Sequence, residues 1–106
     1  MITYDDFKAM ELVIGKILSI ENHPDADKLY VLQVDLGAET RQVIAGLRPY
    51  YEPDQLLGKT IVVLANLQPA KLRGVESNGM LLAAQDGDKV IILSPAETVS
   101  PGSKVL

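Results

Sequence analysis

From Leu29 to Leu36 apolar side chains recur at every second position, with Tyr30, Leu32, Val34 and Leu36 on one face and Gln33 and Asp35 on the other. A period of two residues puts one face of a strand on a core and the other in water, so this stretch predicts a half-buried β-strand. The flanking sequence supplies its partners. Leu12 to Glu21 is β-branched, with Val13, Ile14, Ile17 and Ile20 around Gly15. It predicts a first strand with a bend or a close backbone approach at the glycine. His23-Pro24-Asp25-Ala26-Asp27 reads as a turn. Gly37-Ala38-Glu39 reverses the chain into a third strand, Arg41 to Ala45, in hairpin relation to the second.

Pro53 to Gly58 suits a single helical turn, with proline at its start and glycine past its end. Thr60 to Ala65 is an apolar run short enough for a buried strand. Met80 to Ala84 and Lys89 to Leu93 flank Asp86-Gly87, a tight-hairpin signal. Ahead of the strands, Ile2 to Met10 reads as a short helix. Thr3 caps it, Asp6 completes a capping box, and Ile2 is placed to staple against Phe7. Such a helix is marginal alone in water and must lean on its barrel or on a partner chain. Pro95 to Leu106 is polar, proline-bearing and without a clear period. The order β-β-β-α-β-β is that of an OB-fold, a five-stranded, partly open barrel. SH3-like barrels also have five short strands, so order alone leaves both open. The expected class is all-β, a barrel with minor helices, a short N-terminal helix and a C-terminal extension.

One domain, 1–106, accounts for the chain, which has no internal repeat and no dividing linker. With 47% apolar residues and 23% charged ones it has material for a core. Cysteine is absent, which excludes disulfides, thiolate metal sites and Cys nucleophiles. The opening Met1-Ile2-Thr3-Tyr4-Asp5-Asp6 is acidic where a signal peptide is basic. No apolar run approaches the roughly 18 residues of a membrane span. A soluble, cytoplasmic domain with no membrane partner is expected.

The net charge of −4 is unevenly spread. Between Thr40 and Gly74, Arg41, Arg48, Lys59, Lys71 and Arg73 face only Glu52 and Asp54, whereas the rest of the chain is acidic. Catalytic groups are scarce. His23 is the single histidine, and no nucleophile motif or phosphate-cradling loop is present. His23, Asp25 and Asp27 have the spacing of a metal cluster, but a turn with Asx-type hydrogen bonds explains the same residues and is the reading preferred. No metal and no cofactor are expected.

The basic middle coincides with the segment Ala65 to Ala84, which in a barrel of this order joins strands four and five. There Lys71 and Arg73 can meet phosphates, Asn66, Ser77 and Asn78 can hydrogen-bond base edges or ribose, and Met80 offers an apolar contact. OB-folds bind along strands two and three and through the loops joining strands one to two and four to five. Lys28 lies in the first of those loops, Arg41 opens strand three, and Lys16 on the first strand completes the set. Stacking aromatics are missing: Tyr30 is on the apolar face, and Tyr50 and Tyr51 sit in a bend. Recognition of folded RNA through phosphates and 2′-hydroxyls fits this residue set better than a stacking platform.

Five ordered blocks carry a resemblance. They are His23-Pro24-x-Ala26-Asp27-Lys28-Leu29, Val34-Asp35-x-Gly37, Arg41-Gln42-Val43-Ile44-Ala45-Gly46, Leu57-Gly58-Lys59, and Asn66-Leu67-x-Pro69-Ala70-Lys71-Leu72-Arg73-Gly74-Val75-Glu76-Ser77-x-Gly79-Met80. Together, over about Tyr4 to Leu93, the chain resembles the tRNA-binding domain family. That OB-fold module is found at the C-terminus of methionyl-tRNA synthetases and in free-standing tRNA-binding proteins. The resemblance implies non-catalytic, structure-specific tRNA binding, with roles for Lys28, Ser77 and Met80 and shared roles for Asn66, Lys71 and Arg73. It also implies a homodimer joined through segments outside the barrel, here 1–11 and 94–106, and a possible partner in the catalytic part of the synthetase. Val13 departs from the family's frequent arginine. Ile44-Ala45-Gly46 sides with the synthetase branch rather than with a chaperone-like one. The alternative is a protein-interaction or dimerisation module with incidental RNA contact.

Overall fold

Three strands in succession build half of the barrel: β1 (Leu12–Asn22), β2 (Tyr30–Asp35) and β3 (Thr40–Ala45), each antiparallel to the next. The computed structural model describes all 106 residues, Met1–Leu106. On β2 the alternation is realised as read, with Tyr30, Leu32 and Val34 buried and the residues between them half-exposed. After β3 the chain makes the short helix α2 (Pro53–Leu56), whose Leu56 is completely buried in the core. β4 (Thr60–Leu64) then pairs with the far edge of β1, Ile14 opposite Val62.

The segment from Ala65 onward is more structured than a connecting loop. It folds back on itself as a hairpin of β5 (Ala70–Leu72) and β6 (Val75–Ser77). Its turn residues Arg73 and Gly74 both have positive φ, 52° and 86°, the backbone demanded by a two-residue type I′ turn. β7 (Met80–Leu81) returns to β4, giving a sheet of order β3-β2-β1-β4-β7. The Asn78 N–H donates to Gln42 O at 2.8 Å, bringing the end of β6 beside β3. That contact nearly closes the sheet into an OB-type barrel. β8 (Ala83–Asp86) and β9 (Lys89–Ile92) form a terminal hairpin. Its two turn residues are Gly87 and Asp88, one position later than expected, because Asp86 pairs with Lys89.

Gly15 marks a close approach and not a bend. A Cβ there would lie 2.5 Å from Val34 Cγ1 and 2.9 Å from Leu36 Cδ2. The bend falls instead at a register shift between Ile17 and Ser19, where a bulge lets an 11-residue strand curl around the core. That core is Ile17, Tyr30, Leu32, Val34, Val43, Leu56, Ile61 and Val63 with their neighbours.

Both chain ends sit at one side of the barrel. α1 (Tyr4–Lys8) is shorter than the expected Ile2–Met10 helix, with Thr3 and Asp6 forming the capping box. Ile2 remains 68% exposed instead of buried in a staple. The C-terminal extension is not irregular throughout. The Ile14 N–H donates to Ser103 O at 2.8 Å, and Val105 N–H donates to Leu12 O at 2.8 Å, so the tail lies along the start of β1. No helix is long and apolar enough to cross a membrane.

Candidate nucleic-acid interface

The β1–β2 loop and the β5–β6 hairpin converge on one flank of the barrel. The loop is shaped from within: the Leu29 N–H donates to Ala26 O at 3.2 Å, and the His23 N–H donates to Leu29 O at 3.1 Å. Across from it Arg73 Nη2 donates to the Asp25 carbonyl at 3.0 Å. Asp25, Ala26, Asp27, Lys28 and Arg73 therefore line one small open cleft of about 330 Å³. Two cations from segments far apart in sequence share its rim. Lys71 is exposed on β5, in register with Glu76 on β6.

A larger open cleft, about 690 Å³, lies along the start of β3. Thr40, Arg41 and Gln42 line it from β3, Asn66 to Pro69 from the β4–β5 connection, and Asn78 from the end of β6. Arg41 is not a free cation. Its Nε pairs with the Glu39 carboxylate and its Nη1 donates to Ala65 O, so it also ties β3 to the end of β4. Gln42 Oε1 accepts from Gln33 Nε2 at 3.0 Å while Gln42 Nε2 donates to Glu76 O at 2.8 Å. The wall is polar and fixed by hydrogen bonds.

The remaining residues singled out from the sequence divide. Asn78 is half-buried at this cleft. Met80 is 43% exposed on β7. Ser77 is buried, and its hydroxyl accepts from Ile44 N–H and donates to Gly79 O, both at 3.0 Å. Asn66 lines the cleft, yet its amide is spent: Oδ1 accepts from Glu11 N–H at 2.8 Å and Nδ2 donates to Ala9 O at 2.7 Å. Both hold the frame on which the exposed groups stand. Lys16 lies apart, in a separate cleft with Lys59, Thr60 and Ser100, because its strand position faces the α2–β4 junction.

Sequence reasoning missed Gln42, whose amide bridges two elements, and the role of His23. The latter is 3% exposed and uses both ring nitrogens, on Leu72 O and on Asp25 N–H. A metal at His23, Asp25 and Asp27 would have to break those bonds.

Comparison with known proteins decides the family. Residues 12–104 match the family described as "Putative tRNA binding domain". The chain belongs to the tRNA-binding domain family. Over 104 residues this tRNA-binding domain is 54% identical to the methionine–tRNA ligase of Pyrococcus furiosus and 52% identical to that of Thermococcus kodakarensis. In each case 98% of the chain is covered but only 14% of the ligase, so the chain spans about one-seventh of the length of these relatives. The MetRS-related protein of Pyrococcus horikoshii superposes with a TM-score of 0.93 at 34% identity, covering 100% of this chain and 98% of that one. The CsaA chaperone protein of Picrophilus torridus gives a TM-score of 0.93 at 29% identity, with both chains fully covered. The fold is common to both branches, while the sequence of this tRNA-binding domain stands nearer the ligases.

Proposed function

We propose that the chain is a non-catalytic domain that binds tRNA by its folded shape, as the appended domain of a cytoplasmic methionyl-tRNA synthetase or as a free-standing homologue. The observation that carries this reading is the cleft shared by Lys28 and Arg73 beside Lys71, in a chain half identical to methionine–tRNA ligases over nearly its whole length. Cations on two rigid segments suit the phosphate backbone, which supplies affinity without reading bases. The aromatics agree. Tyr30 Oη donates to Tyr51 O at 2.6 Å and Tyr51 Oη accepts from Ile92 N–H at 3.1 Å, so both rings are committed to packing. Tyr4 stands under Lys8, 5.5 Å from its ammonium, at the far end. Tyr50 is exposed in the bend before α2, away from both clefts, and with no tyrosine lining either one the clefts offer no platform for stacking unpaired bases.

The same reading includes a homodimer. α1 buries none of its own residues, and with the tail it encloses an apolar recess of about 310 Å³ lined by Tyr4, Phe7, Met10, Val105 and Leu106. Exposed apolar surface at a short helix is the mark of an association face. Pairing there would set two RNA-binding flanks on one particle and raise modest affinities through effective concentration.

The test is a tRNA titration at several salt concentrations, with an unstructured RNA of equal length as control. Preferential binding of folded tRNA that weakens steeply with salt is the expected result. Equal, weak binding of both RNAs would overturn the reading and leave a docking or dimerisation module.

A further inference from the structure

His23 is the one buried side chain among the histidine, lysines, arginines, aspartates and glutamates, and neither an ion pair nor catalysis accounts for it. Its ring sits at the root of the β1–β2 loop and reaches the β5–β6 hairpin. Nδ1 accepts from the Asp25 N–H at 2.9 Å, so that nitrogen carries no proton. Nε2, 2.8 Å from the Leu72 carbonyl, must then carry it and donate. The neutral Nε2–H tautomer is the only form that makes both bonds. One residue further along the hairpin, Arg73 donates back to the carbonyl of Asp25. The loop thus donates to Leu72 while the hairpin donates to Asp25, a reciprocal pair between segments 48 and 49 positions apart.

The hairpin needs such a tie. Ala70, Lys71 and Leu72 are all exposed, so β5 has no buried face to anchor it. β6 is held to β3 through Ser77 and Gln42, but the turn at Arg73–Gly74 projects beyond those bonds.

We propose that His23, as a neutral Nε2–H imidazole, is a positioning residue that locks the hairpin tip onto the β1–β2 loop and so holds Lys28 and Arg73 at fixed separation for tRNA phosphates. This rests on the tRNA-binding reading. Pre-organisation of this kind raises affinity by removing the cost of ordering two cationic loops at the moment of binding.

The full chain supplies the test. With one histidine, the imidazole ¹⁵N shifts of the unmutated protein report the tautomer directly; an Nδ1–H or doubly protonated ring at neutral pH overturns the proposal. His23→Asn keeps an acceptor for the Asp25 N–H but is too short to reach Leu72. Its hairpin amides, 70–77, should exchange faster than in the parent, and tRNA affinity should fall roughly three- to tenfold, the scale of one lost hydrogen bond. His23→Gln carries an amide N–H where Nε2 was and should recover most of both. A folded His23→Asn with unchanged hairpin exchange, or with unchanged affinity, overturns the positioning role. If His23→Asn does not fold, the ¹⁵N shifts and the His23→Gln exchange pattern decide. If exchange responds as stated while the parent chain fails to prefer tRNA over unstructured RNA, the lock stands as geometry. It is then the tRNA reading that falls, and the RNA-positioning role with it.

Discussion

The Ile44 backbone N–H donates to the Ser77 hydroxyl, which in turn donates to Gly79 O, and through this one oxygen β3 is joined to the strand that closes the barrel. All of it is buried. Ser77→Ala strands the Ile44 N–H without a partner, and a buried unsatisfied donor costs about 1–3 kcal/mol. Urea unfolding should show that loss in the midpoint with an unaltered slope. If stability is unchanged and RNA affinity alone drops, Ser77 touches RNA directly instead of holding the frame.

Asn66 makes the same kind of link at the other end. Its two bonds to Glu11 and Ala9, beside the Ala65 N–H to Glu11 O, tie the residues that follow α1 to the end of β4. Asn66→Ala should lower stability by roughly 1–2 kcal/mol. It should also weaken self-association measured by sedimentation if α1 forms the dimer face. A monomeric parent chain would remove that second expectation and with it the dimer.

Lys71 and Arg73 should separate on mutation. Lys71→Ala removes one exposed cation, weakening binding similarly for different tRNAs and lowering the salt slope by about one unit. Arg73→Ala loses the charge and the Asp25 strut together and should cost more. Arg73→Lys keeps the charge but not the fork, so its salt slope should match the parent while its affinity does not.

Glu39 holds Arg41 by an ion pair at the mouth of the larger cleft. Glu39→Gln removes a negative charge from that mouth and should strengthen tRNA binding at low salt, the gain fading as salt screens it. Titrations at two ionic strengths check this. Weaker binding would mean that Arg41 needs Glu39 to orient it.

Gly15 bears on packing alone. A methyl at that site would enter the space of Val34 and Leu36, and overpacking of this sort costs about 1–3 kcal/mol. Gly15→Ala should lower the melting temperature and leave the salt dependence of RNA binding untouched.

The parts of this fold legible in the sequence are those with a buried face. β2 alternates because one side of it is core, and Thr3 and Asp6 announce α1 because capping is local chemistry. β5 was invisible for the complementary reason: Ala70, Lys71 and Leu72 are exposed throughout, and no period can be written on a strand without an inside. The tail shows no period, and its pairing with the start of β1 is not legible, because that pairing runs through backbone groups. At the candidate site, spacing pointed to Lys28, Lys71 and Arg73. It could not tell that the Asn66 amide and the Ser77 hydroxyl are committed to the frame, since the bonds to Glu11, Ala9 and Ile44 join backbone groups 33 to 57 positions away. His23 read as a turn residue, which it is, but its second bond goes to a carbonyl that no side-chain pattern encodes.

β1 is assembled from partners that arrive at very different times. It pairs with β2 immediately, with β4 only once Leu64 is made, and with the tail once Lys104 is made. Long sequence separations slow folding, and an unpaired strand edge is a template for wrong partners. On a growing chain the Leu12–Ile14 end of β1 therefore keeps one edge bare until Lys104 has been made, long after β2 and β4 have paired. The interval of vulnerability is set by translation rather than by the stability of the finished domain.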